Sequence, residues 1–214
     1  MKQLATHALN ARSELASALT HGLGLLLAIA AMVAMLLAAT GTRAVVAAAI
    51  FGGSLVLLYS SSTLYHSLPA GKARRVAQVL DHLSILVLIA GTYTPFTLLT
   101  LRGSWGWSLF GTVWGLAAAG FALELSSWRY RHRAGVVLYV LMGWVVLVAA
   151  GPLWQSLPTG GLWLLFMGGV AYTGGVGFYL ARRRPWAHPV WHLCVLAGSL
   201  CHVLAVLQHV LPPA

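Results

Sequence analysis

The sequence predicts an all-α membrane protein, a bundle of seven transmembrane helices with the N-terminus cytoplasmic and the C-terminus outside. Three observations predict it. Of 214 residues, 59% are hydrophobic and 7% charged, with mean hydropathy +0.83, where a soluble domain carries about 25% charged residues. Seven unbroken apolar runs, each near the about 20 residues that cross a bilayer as a helix, occupy residues 18–40, 44–66, 80–101, 106–127, 134–154, 160–181 and 189–211. When the links between them are assigned to alternating sides, eleven of the thirteen Lys and Arg residues fall together. The positive-inside rule makes that side cytoplasmic.

Residues 1–17 are polar and mixed and read as a cytoplasmic N-terminal segment, its helical pattern suiting a short helix on the membrane surface. Residues 18–211 form a single seven-helix domain. The basic side holds Lys2, Arg12, the second link (Lys72, Arg74, Arg75), the fourth (Arg129, Arg131, Arg133) and the sixth (Arg182, Arg183, Arg184). Only Arg43 and Arg102 lie opposite. All links are short, so successive helices pack up and down against one another. The first run is too long for the core of a cleaved signal peptide.

In the third run Pro95 predicts a kink. In the fourth and sixth, Gly111-x-x-x-Gly115 and the group Gly168, Gly169, Gly174, Gly175 and Gly177 predict close helix contacts. Trp105, Trp107, Trp154 and Trp163 sit near the outer ends and read as interfacial anchors. The net charge of +10 is split among short clusters, so no nucleic-acid partner is expected. Cys194 and Cys201 are seven residues apart, about 10 Å along a helix, too far for a disulfide.

A polar group within a membrane is costly and needs a partner. The second run ends at the cytoplasmic side in Ser60-Ser-Ser-Thr-Leu-Tyr-His66, the third begins there with Leu80-Asp-His82, and the seventh with His188-Pro-Val-Trp-His192. His66, Asp81, His188 and His192 therefore share one depth. His188 and His192 are one helical turn apart on one face, a spacing that offers two imidazoles to one ion. Three histidines fit a Zn2+ site with an open fourth position, and imidazole suits zinc better than calcium or magnesium. Asp81 is either a fourth ligand or a general base acting on a metal-bound water. Ser62, one turn before His66, is placed to bond that water or a substrate oxygen. This is equipment for hydrolysing an amide or ester.

The other polar groups read more plainly. His7 and His132 are expected in solvated links and His209 at the outer interface. His82 points about 100° away from Asp81 around the helix. His202 lies about 15 Å further along the helix than His192, too far to share its ion, and is expected to bond within the bundle. Glu124 is expected to pair with Arg129 or Arg131. Glu14 and His21 share a face of the first helix, with a role beside the site or in simple helix-end bonding left open.

These residues resemble the hemolysin III family, the bacterial branch of the progestin and adipoQ receptor superfamily that includes adiponectin receptors. The resemblance runs from Glu14 to about Leu211 through Thr20-His-Gly22, Ser62-Thr-Leu-Tyr-His66, Leu80-Asp81, Gly91-Thr-Tyr-Thr-Pro95, His188-x-x-x-His192 and Gly198-Ser-Leu-Cys-His202. It implies a zinc ion near the cytoplasmic face held by His66, His188 and His192, with Ser62 and Asp81 linked to it through water. It also implies the inner membrane of a bacterium and a ceramidase-like hydrolase of membrane lipid amides, active in lipid homeostasis. Membrane lipids are then substrate or signal, and a homo-oligomer is compatible with the pattern. The alternatives are a non-enzymatic sensor with structural zinc and a pore-forming hemolysin. Two positions depart from the family pattern. Ser17 stands where many members have Asn, and Pro189 follows His188 directly, which disfavours a helical conformation at His188 and points to action from the helix cap.

Overall fold

The computed structural model describes residues 2–181 and 184–211, and these contain helices joined by short links, with no strand. Arg182, Arg183 and the His7 side chain lie outside what is described. Helix α1 is Lys2–Ala38, α2 Thr42–Ser67, and α3 Lys72–Pro95, which continues as a π-helical turn over Phe96–Leu101. Helix α4 is Gly103–Leu125. Helix α5 is Arg131–Trp144, carried on through a 3₁₀ segment, Val145–Ala149, and a last α-helical turn, Ala150–Ser156. Helix α6 is Thr159–Leu180 and α7 is Ala187–His209. Seven helical segments are long and apolar enough to cross a membrane; this is a multi-pass all-α membrane bundle.

Two boundaries differ from expectation. No separate surface helix precedes the first span: α1 runs unbroken from Lys2, with its membrane-length apolar part beginning at Ala11. Nothing between residues 10 and 18 breaks a helix, and Glu14 is held by partners on α2 and α3. Helix α3 likewise starts eight residues before its apolar run, which brings Arg74 to Glu14.

Successive helices pack side by side, and α7 returns against α1 to close the ring. The α5–α6 contact is the sparse one. Phe51, Leu55 and Tyr59 of α2 lie at the centre, fully or almost fully buried with Met35 of α1 and Val206 of α7. Leucines of α1, among them Leu19, Leu23 and Leu26, are exposed, as a helix facing lipid requires. Trp105, Trp107, Trp154 and Trp163 are exposed as well.

Pro95 lacks the N–H that would bond one turn back, and there the helix passes into the π turn instead of ending. The Thr94 hydroxyl donates to the Ala90 carbonyl at 3.0 Å and that of Thr97 to the Tyr93 carbonyl at 3.1 Å. The break in α5 is served from α3. The Tyr93 hydroxyl reaches the Met142 and Gly143 carbonyls at 2.8 and 2.9 Å and accepts from the Val146 N–H at 3.1 Å. Side chains thus satisfy backbone groups that a regular helix would pair, as the membrane interior demands.

The close helix approaches are only in part those that the glycine spacing predicts. Gly111, Gly115, Gly174 and Gly177 face open space, whereas Gly168 lies on the His202 ring and Gly175 on Trp191. A small-residue motif marks a permissive surface, but only a facing helix makes it a contact. The tight crossing of α2 and α3 is at Gly91, where a Cβ would collide with the Ser54 side chain. Gly91→Val is expected to cost about 1–3 kcal/mol through overpacking, read as a lower Tm in detergent, while Gly111→Val leaves Tm unchanged. Equal Tm values would show that α2 and α3 tolerate separation.

Candidate metal centre

The centre lies at the end of the bundle that carries the basic links. His66 is in the last turn of α2 because the helix runs on to Ser67. His188 and His192 lie in the first two turns of α7. Helix α7 begins at Ala187, so His188 is inside the first turn and not in the cap, contrary to expectation. Pro189 fits because N–H groups of a first turn have no intrahelical acceptor to lose.

His188 Nε2 lies 3.1 Å from His66 Nε2 and 3.1 Å from His192 Nε2. One nitrogen from each ring falls within 4.8 Å of the others, and His66 and His192 are buried. Two nitrogens at about 2.0–2.1 Å from a tetrahedral zinc ion lie about 3.3–3.4 Å apart, close to the spacing observed.

The far sides of two rings decide what faces inward. His66 Nδ1 is 2.9 Å from a Glu14 carboxylate oxygen, and His192 Nδ1 is 3.2 Å from the Ser17 carbonyl. Those oxygens accept, so each Nδ1 carries the proton and each Nε2 can present its lone pair. A single proton on His188 Nε2 can satisfy only one of the two facing lone pairs at a time, whereas a cation between the rings satisfies all three nitrogens. An acceptor behind each ring is also the arrangement that orients histidine ligands and raises their basicity. The residues therefore fit a metal ion, and the chemistry of the three-imidazole set fits zinc.

Helix α1 supplies this support. Glu14 also takes a 2.6 Å ion pair from Arg74 of α3, whose other terminal nitrogen bonds the Leu68 carbonyl at 3.0 Å. The position that departs from the family pattern, Ser17, serves through its backbone oxygen. His21 stacks face to face on His192, centroids 3.5 Å apart and planes within 10°. Both His21 nitrogens and Ser62 Oγ are buried without a hydrogen-bond partner among the described residues. Asp81 is buried beside His66, His82 and Ser62. The structure thus gathers all five residues expected at the site, and adds Glu14, the Ser17 carbonyl and His21. Glu14→Gln is expected to weaken the ion's binding about 10–100-fold, the usual loss for an outer partner of a histidine ligand, in competition with a chromophoric chelator. Unchanged affinity would remove Glu14 from the site.

A cavity of about 890 Å³ opens from this polar end. His66, His188, His192, Asp81, Ser62 and His21 line one end of it. Leu88, Tyr93, Phe96, Leu153 and Leu162 continue the wall away from it through the bundle. Leu147 and Trp154 of α5 and Trp163 and Phe166 of α6 line it too, and each is more than half exposed on the outer surface. The cavity thus reaches the side of the molecule at the sparse α5–α6 contact.

Two expectations for other polar groups change. Glu124 pairs with histidines, His82 at 2.8 Å and His132 at 3.8 Å, and not with Arg129 or Arg131. His132 is exposed, as expected, but lies in the first turn of α5 beside that carboxylate and not in a link. His202 stacks on Tyr172 at 5.5 Å within the bundle, as expected, but its Nδ1 is buried without a hydrogen-bond partner among the described residues. Cys194 and Cys201 are free.

Fold and site together define a multi-pass membrane protein with a three-histidine group able to hold a metal ion. The chain belongs to the haemolysin-III related family, which it matches over residues 9–203. It is 43% identical over 206 residues to Hemolysin-3 of Bacillus cereus, covering 95% of this chain and 94% of that protein. The Hemolysin-3 homolog of Bacillus subtilis (strain 168) is 40% identical over 199 residues, 92% and 93% of the two chains. The Monocyte to macrophage differentiation factor of Homo sapiens is 27% identical over 169 residues, 75% of this chain and 68% of that one.

Proposed function

We propose that this protein is a zinc-dependent hydrolase of membrane lipid amides, sited in a bacterial inner membrane with the basic end cytoplasmic and serving lipid homeostasis. The observation that carries the reading is the cavity, with an apolar length for hydrocarbon and one polar end holding the histidines, Asp81 and Ser62. Such a mostly apolar pocket with a few convergent polar groups is the form of a small-molecule site.

His66, His188 and His192 would hold a zinc ion, which would supply a Lewis acid able to polarise a carbonyl and to lower the pKa of water toward about 7. The chain supplies the rest. The apolar wall takes the acyl chain and excludes bulk water, which strengthens every electrostatic contact at the polar end. Asp81 accepts a proton from the attacking water and returns it to the leaving amine. Ser62, beside Asp81, donates to the carbonyl oxygen as charge develops there. Glu14 and the Ser17 carbonyl hold two rings in the tautomer that faces inward.

The test is release of free fatty acid from a panel of lipid amides in vesicles by the purified full chain. Turnover is expected in wild type and in His209→Ala, whose histidine lies at the far end of α7. Zinc-loaded protein without turnover on any lipid amide would overturn the reading and leave zinc as a clamp in a membrane sensor. The relatives' name favours a second reading, membrane lysis. Leakage of a trapped dye from vesicles at low protein density, unchanged by chelation, would support that one instead.

A further inference from the structure

Glu124 is one of three acidic residues in the chain, and it is buried. A buried carboxylate needs strong partners. Its two oxygens face two different imidazoles. Oε1 lies 2.8 Å from His82 Nδ1, and Oε2 lies 3.8 Å from His132 Nδ1. The first distance is a hydrogen bond; the second is too long for one. One ligand atom from each of the three residues lies within 4.8 Å of the other two.

We propose that His82, Glu124 and His132 form a second metal site, separate from the three-histidine centre, that takes a first-row transition ion such as zinc. The three residues come from α3, the last turn of α4 and the first turn of α5. Their placement is built. The Ser126 hydroxyl bonds the Leu123 carbonyl at 2.7 Å, Arg131 bonds the Ser126 carbonyl at 3.1 Å, and the Tyr139 hydroxyl bonds the His82 carbonyl at 3.2 Å. These contacts tie the α4–α5 link to its helix ends and α5 to α3.

Two imidazoles and one carboxylate form a mixed nitrogen and oxygen set, which suits zinc and its neighbours and not calcium or magnesium. Ligands of one such ion stand about 3.3–3.4 Å apart, between the two separations observed, so a small closing of His132 on the carboxylate completes the set. His132 is exposed, which opens the site to solvent and leaves positions for water. Arg131 adds positive charge beside Glu124. Both features make this site weaker and more exchangeable than the buried triad. His82 follows Asp81 on α3 but leaves on another face, so the sites share a helix and no ligand.

The test counts zinc bound to the purified full chain across buffered free-zinc concentrations, by mass spectrometry. Wild type is expected to hold one more ion at saturation than Glu124→Gln, with that ion of the weaker class. His132→Asn, at an exposed position where the fold is not at stake, is expected to weaken the same class at least tenfold. His66→Ala is expected to retain it, which separates this site from the triad. Equal ion counts and affinities in wild type and His132→Asn would overturn the proposal whatever the triad binds. A weak class lost in His66→Ala and kept in Glu124→Gln would overturn it too.

Discussion

A His192→Ala protein is expected to lose the ion that the triad is proposed to hold, and the stability that depends on it. His192 is 2% exposed, gives its Nδ1 proton to the Ser17 carbonyl, lies under the His21 ring and turns Nε2 to His188. Truncation removes one of three ligands and leaves a void beneath His21. The affinity loss should exceed the about 10–100-fold that follows from losing an outer partner alone. Ion content by mass spectrometry gives the first readout. Thermal unfolding gives a second, because an ion that binds only the folded chain raises Tm by mass action. Chelation should lower Tm in wild type and leave it unmoved in the variant. A variant with wild-type ion content and a wild-type response to chelator would remove His192 from the centre.

Asp81→Asn is expected to lower lipid-amide turnover about 10²–10⁴-fold, the range for loss of a general base, with ion content and Tm retained. Asn has the shape of Asp but cannot accept the proton. The variant also decides between the two roles that sequence leaves to Asp81. A general base leaves the ion in place when replaced; a fourth ligand takes much of the ion's affinity with it. Unchanged turnover would place the base elsewhere.

These outcomes bear on how much of the site was legible from residues alone. Counting Lys and Arg in the links gave each helix a direction, and direction gave each polar residue a depth. That was enough to set His66, Asp81, His188 and His192 level with one another. Depth leaves rotation about the helix axis open, and rotation comes from packing. The Glu14–His66 bond spans 52 residues and depends on how α1 turns against α2. The Ser17 carbonyl has no sequence signature, since every residue carries one. Glu124 stood at the right depth, but its pairing with His82 and not an arginine needed the azimuths of three helices. Gly111-x-x-x-Gly115 fell short for the same reason, as a real pattern on a face with no helix opposite. The onset of α1 and α3 was hidden because polar residues extend a helix past its apolar run without any change in hydropathy.

The sparse contact between α5 and α6 bears on how any ligand of the cavity is counted. Residues that line the cavity there are also exposed on the outer surface of the bundle, so a lipid ligand of the proposed kind is expected to reach it from the bilayer. Occupancy then follows the surface mole fraction of the ligand among other lipids. Diluting vesicles into more buffer would leave occupancy unchanged, while diluting the ligand with inert lipid would lower it. A dose-response measured against bulk concentration would confuse the two, and the useful axis is membrane composition.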